Sequence, residues 1–367
     1  MSAKLVNTWE NGPENWVLQL QVIDDHSWVA SHSDGTLNLY DAATLRCPVQ
    51  TINAHESSIN CIKLISNGIA SCSTDGIKVW DLRTEKLVHQ LHNPKNTGFL
   101  SLDFHSNMLA GGTELIGTDA EVHVWDLRNP GTPIKSYVDS HHDDVTCVRF
   151  HPQYSQYLMS GSTDGYVNVY DLKEQDEDDA LHQVINYSSV HSCQFVSKDR
   201  IGILSHMETL SFHQLNNTNY EVWEEPVPKD LGDARQVWGC EYVVDVNPQG
   251  YVSYGTNSNQ ELTLRSFSPL SEQFGMETIV FPGAHGDEVV RDLQVFAGGK
   301  QALSCGEDGS VKMWDLPWKV ELEVPGVEAI ELEAPEKKEK KEKHRKKDKK
   351  DKKDKKKKKK DVRYKPY

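Results

Sequence analysis

His55, Ser71, Ser73 and Asp75 lie close together in this chain, the last three inside the stretch SCSTDGIKVWDL of residues 71–82. Those residue types build a nucleophilic hydroxyl, a base to take its proton and a carboxylate to orient the base. The same types return further on. His142 precedes Ser160, Ser162 and Asp164, and His285 precedes Ser304 and Asp308, each set standing ahead of an aromatic residue, Trp80, Tyr170 or Trp314. A catalytic centre is assembled once, so a set that returns at intervals points to a repeated element and predicts a structural role for its members.

The elements that must position these residues are repeats. Five stretches end on an aromatic residue followed by Asp: Tyr40-Asp41, Trp80-Asp81, Trp125-Asp126, Tyr170-Asp171 and Trp314-Asp315. The first four are 40, 45 and 45 residues apart, and a gap of 144 separates Tyr170 from Trp314. Two degenerate units, closing at Phe212 and Phe267, fill that gap and bring the total to seven. Within a unit, two short runs rich in β-branched and aromatic residues flank Asp-Gly, the dipeptide of a tight hairpin turn; it occurs at Asp34, Asp75, Asp164 and Asp308. No long segment has a 3.6-residue apolar rhythm, so few helices are expected.

Units of this length predict an all-β, seven-bladed WD40 β-propeller over residues 1–318, each four-stranded sheet burying its faces against its neighbours. The run KLVNTWE is expected to complete the seventh sheet beside SVKMWDL and close the ring. An acidic linker over 319–336 and a disordered Lys-rich tail over 337–367 follow.

Over most of residues 15–318 the sequence resembles WD40 proteins. That resemblance implies structural tetrads of a loop His, a Ser or Thr, the turn Asp and the closing Trp: His55, Ser71, Asp75 and Trp80; His142, Ser160 and Asp164; His285, Ser304, Asp308 and Trp314. Tyr40 and Tyr170 replace the Trp and lack an indole N–H. Below the superfamily, HHDDVTCVRFHPQYSQYLMSGSTDGYVNVYDLKEQDEDDAL, LAGGTELIGTDAEVHVWDLR and GAHGDEVVRDLQVF are similar to the WD repeat-containing protein 89 family.

Composition narrows the function. The net charge of −15 divides unevenly: residues 337–367 hold 20 basic residues against 6 acids, leaving 20 bases and 49 acids for the rest, a body of −29. Such a field repels phosphates and attracts basic protein segments. The first residues are polar, without the apolar core of a secretory signal, and no run of 18 apolar residues occurs, so a soluble protein is expected. Seven cysteines without a CxxC pair suit reduced thiols in cytosol or nucleus. No phosphate loop, GxSxG, HExxH or dinucleotide fingerprint appears. Neither an enzyme, a metal nor a cofactor is therefore expected.

Three further motifs carry functional readings. WDLR occurs at residues 80–83 and 125–128; Arg83 and Arg128 either pair with local acids or resemble the WDxR endings of substrate receptors that dock on a cullin-4 type ubiquitin ligase. Asp176, Glu177, Asp178 and Asp179 form either a solvated connector or a contact for basic partners. In the tail, Lys343, Arg345, Lys346 and Lys347 followed by Lys355, Lys356, Lys357, Lys358, Lys359 and Lys360 fit a nuclear localisation signal read by an import receptor. Weak RNA or DNA contact, as in a ribosome-biogenesis or chromatin factor, is a compatible second role for the tail. The leading expectation is a protein-interaction scaffold in the nucleus or nucleolus, with cytoplasm as the alternative, monomeric within a larger complex and escorting histones or ribosomal proteins.

Overall fold

The structure is a computed structural model that describes residues 1–44, 47–66, 68–216 and 228–323. Met1–Glu328 forms one compact unit and Ala329–Tyr367 is a separate one. The first is a seven-bladed β-propeller of four-stranded antiparallel sheets. We letter the strands of each blade A to D outward from the centre. In blade 2 they are Cys61–Ile65, Gly68–Ser73, Gly76–Asp81 and Lys86–Leu91. The A strands touch one another in succession, and the A strand of blade 7, Val290–Phe296, meets that of blade 1, Val17–Val22, so the ring is closed.

Closure uses the two ends of the repeat region. Lys4–Glu10 is the D strand of blade 7, pairing antiparallel with Ser310–Asp315 from Leu5 opposite Trp314 to Glu10 opposite Ser310. Gly309, at φ +73°, turns against the end of this strand so closely that a Cβ would lie 2.0 Å from the carbonyl oxygen of Gly12; only glycine fits. The first residues go one step further than the sequence predicts. Ala3 donates its N–H to Val280 O at 2.8 Å and Val280 donates to Met1 O at 2.8 Å, which adds a short parallel bridge onto blade 6.

Alternation along the strands puts apolar residues into the gaps between blades. Trp9, Trp28, Tyr40 and Phe296 fill the gap between blades 7 and 1, with Trp9 edge-on to Trp28 at 5.0 Å. Polar side chains on the A strands stitch the seams. Gln19 Oε1 accepts from Ile62 N at 2.7 Å, Asp103 Oδ2 from Phe150 N at 2.7 Å and Asp292 Oδ2 from Leu20 N at 2.9 Å. Each satisfies a buried backbone donor of the next blade.

The degenerate blades, 5 and 6, keep the four-stranded plan without the usual turn. Glu208 at φ +60° and Gln260 at φ +55° hold the left-handed position that glycine holds elsewhere. Phe212 and Phe267 stand for the closing Trp and stack at 5.7 Å.

Candidate functional site

The recurring His, Ser and Asp side chains are buried bonds within blades. In blade 2, His55 donates from Nδ1 to Asp75, Ser71 Oγ donates to His55 Nε2 at 2.7 Å, and Trp80 Nε1 donates to Ser71 Oγ at 3.2 Å. Blade 7 repeats the arrangement with His285 to Asp308 at 2.7 Å, Ser304 to His285 at 2.8 Å and Trp314 to Ser304 at 3.0 Å. Ser71, Ser160 and Ser304 are fully buried. A substrate carbonyl has no route to these hydroxyls, and their lone pairs and protons are already engaged. Burial lowers His55 and His285 despite their Asp partners, keeping the rings neutral. Asp308, which burial alone would raise, is lowered to about 2 by His285 and Ser310.

In blade 4 the expected histidine is wrong by one position. His141, not His142, donates to Asp164 at 2.9 Å and accepts from Ser160 at 2.7 Å. The D strand Lys135–His141 of blade 3 ends with His141 turned inward, so the next side chain emerges; His142 is exposed and meets Asp119 at 3.2 Å. The interval carried the signal: His141 precedes Ser160 and Asp164 by 19 and 23 residues, as His285 precedes Ser304 and Asp308.

Blades 1 and 3 substitute other chemistry. Asn11 takes the histidine's place in blade 1, accepting from Tyr40 Oη at 3.0 Å and Asn38 Nδ2 at 3.3 Å. In blade 3, Gly111 faces His123 where blade 2 has Ser71 facing Lys78. Its polar core is instead Glu121, bonded to His123 Nε2 at 2.7 Å and to Lys95 Nζ at 2.8 Å, with Ser136 Oγ at 2.9 Å from His123 Nδ1. Sequence reasoning missed this set; the alternation of AEVHVW, which puts Glu121, His123 and Trp125 on one side of a strand, was the available clue.

Antiparallel order puts the A–B and C–D turns at one end of the ring, the lower face, and the B–C and D–A loops at the other, the upper face. Arg83 and Arg128 follow C strands and therefore share the lower face. Arg128 forks onto Asp126, at 2.9 Å from Nε and 2.5 Å from Nη2, while the Arg83 guanidinium stands 3.7 Å from Asp81. The acidic loop is the C–D turn of blade 4, between Tyr166–Asp171 and Leu181–Asn186, and is also on the lower face. Glu177 is consumed there, accepting from Val138 N at 2.8 Å and Asp139 N at 3.1 Å, and Asp176 caps the short helix Glu177–Ala180; Asp178 and Asp179 remain exposed. Residues 319–323 stay on this face, with Val320 N donating to Gly299 O at 2.8 Å and Glu323 N to Gln249 O at 2.8 Å.

The upper face differs in charge. Among the described residues, the cations that reach it each sit on an acid: Lys78 on Asp75, Lys95 on Glu121, Arg235 on Asp233, Arg291 on Glu307 and Lys312 on Asp308. Lys343, Arg345, Lys346, Lys347 and Lys355 to Lys360, expected from sequence to form a localisation signal, lie outside the described residues. Also among the described residues, no three His, Cys, Asp or Glu gather to hold a metal.

Comparison with known proteins agrees with this geometry. The family described as WD domain, G-beta repeat matches residues 46–81, 131–171 and 276–315. The chain is 47% identical over 324 residues to an uncharacterized WD repeat-containing protein of Saccharomyces cerevisiae, covering 86% of this chain and 82% of that one. It is 31% identical over 252 residues to the WD repeat-containing protein 89 homolog of Dictyostelium discoideum, covering 67% and 66%. A more distant match, 28% over 180 residues, covering 46% and 42%, is histone acetyltransferase type B subunit 2 of Candida glabrata.

Proposed function

The chain belongs to the WD repeat proteins, a family of propellers that bind other proteins, and on that premise we propose that it is a non-catalytic nuclear platform for basic proteins. The clients are histones or ribosomal proteins, held at fixed geometry by loops on a rigid ring. One observation carries the reading: the upper face has its cations neutralised in place, on a body of net −29, so the field there stays negative. The histone acetyltransferase subunit among the relatives supports a basic client of that class. Lys343 to Lys360 serve import, with nucleic-acid contact as a compatible role. Affinity purification of the whole chain followed by mass spectrometry tests the platform. Basic proteins recovered at moderate salt and lost at high salt are the expected outcome; a neutral or acidic set of clients overturns it.

A further inference from the structure

The upper face carries apolar side chains that the fold does not use. Leu115 and Ile116 on the B–C turn of blade 3, Tyr166 at that of blade 4, Met207 at that of blade 5 and Val237 on the helix Ala234–Trp238 entering blade 6 are all exposed. Together they form an arc over four successive sectors of the ring. Met207 and Val237 are the most open, at 60% and 62%. They belong to one tied corner, since Ala234 N donates to Glu208 O at 2.8 Å and Arg235 Nη2 to Met207 O at 3.3 Å. Beneath them Leu204, Leu210 and Ala234 already fill the core. Several large apolar side chains left in water on one face of the ring point to a contact surface more than a single exposed residue does.

Carboxylates interleave with the arc and are held by backbone N–H groups outside the ion pairs named above, and of them Glu208 alone lies in the field of Arg235. Asp144 accepts from Leu115 N at 2.8 Å, Glu208 from Val243 N at 2.9 Å and Glu241 from Asn257 N at 2.8 Å. We propose that this arc docks an extended basic protein segment that bears apolar side chains. Its Lys or Arg groups meet the carboxylates and its apolar groups rest on Met207, Val237 and their neighbours in blades 3 and 4. The inference rests on the platform reading above and adds the surface and the partner's pattern. Nucleic acid does not suit this face, because phosphates would face carboxylates.

The test uses the whole chain and three synthetic twelve-residue peptides of repeating Lys-Lys-Leu, Lys-Lys-Ser and Glu-Glu-Leu, followed by fluorescence anisotropy near 0.15 M salt. The Lys-Lys-Leu peptide should bind about tenfold more tightly than Lys-Lys-Ser, a difference of about 1.4 kcal/mol, and Glu-Glu-Leu should not bind. In Met207→Ser/Val237→Ser that advantage should vanish while the melting midpoint holds. Should this variant not fold, Leu115→Ser/Ile116→Ser supplies the same comparison. Equal binding of the Leu and Ser peptides, or an unchanged advantage in the variants, overturns the proposal. A cellular basic client retained by the folded double variant sinks the site and spares the platform; no basic client for the unaltered chain sinks the platform itself.

Discussion

His141 and Asp164 are joined by a 2.9 Å hydrogen bond, whereas the adjacent His142 points into solvent. Replacing His141 by Ala takes the imidazole from the buried Ser160 hydroxyl and leaves Asp164 only the His142 and Tyr166 N–H groups, a cost of about 1–3 kcal/mol. His142→Ala should stay within about 0.5 kcal/mol. Urea unfolding of the two variants decides between them, and equal midpoints would count against the bonded set as a fastening.

The clasp makes a second prediction. Trp9 is 1% exposed and its indole donates to Thr44 O at 2.8 Å. Trp9→Ala leaves a cavity between blades 7 and 1 and should destabilise by about 3–5 kcal/mol. Hydrogen exchange should show the protection lost first in Ser310–Asp315, its strand partner. Loss spread evenly over all seven blades would argue against a local latch.

Acid should weaken the propeller in two stages. Burial lowers His32 to about 4 and shifts the buried His55 and His285 in the same direction, so below pH 6.5 the unfolded chain binds protons that the folded one refuses. Stability is therefore lost as pH falls from about 6.5 to 4, by up to about 3 kcal/mol for His32. Asp308, lowered to about 2, adds a further loss as pH drops below the ordinary carboxylate range. Asp292 works against the first stage: burial raises it to about 7, so the folded state takes up its proton between pH 7 and 4 and gains stability there. Asp292→Asn should accordingly steepen the decline between pH 6.5 and 4, and a shallower one would refute the sign.

Much of this architecture is legible in the sequence, for physical reasons that also explain what is hidden. Asp-Gly turns and the 40–45 residue interval declare the hairpins, because a left-handed turn position selects for glycine. Blades 5 and 6 are obscure because Glu208 and Gln260 tolerate that position under local bonding. The clasp is visible as a strand without a hairpin partner. The choice between His141 and His142 turns on where a strand ends, which residue type alone does not say. Glu177 reads as one acid in an acidic run, yet its partners are backbone N–H groups some 38 residues away in sequence.

Deleting residues 337–367 should move the protein to the cytoplasm, followed by a fluorescent fusion in living cells. Undiminished nuclear signal would remove the tail from the import pathway.

Arg83→Ala/Arg128→Ala distinguishes a ligase receptor from the platform. Because Arg128 is already forked onto Asp126, basic clients should survive this change in affinity purification. Capture of a cullin adaptor by the unaltered chain, abolished in the double variant, would favour the receptor instead.

Glu10 and Ser310 are register partners separated by 300 positions of chain. During synthesis the strand Lys4–Glu10 leaves the ribosome some 300 residues ahead of its mate. At translation rates of about 5–20 residues per second, that is a wait on the order of 15–60 s. For that interval the nascent protein offers an unpaired edge and Trp9 without its cavity, so a chaperone that shields early strands has more to do here than for a domain whose neighbours emerge together.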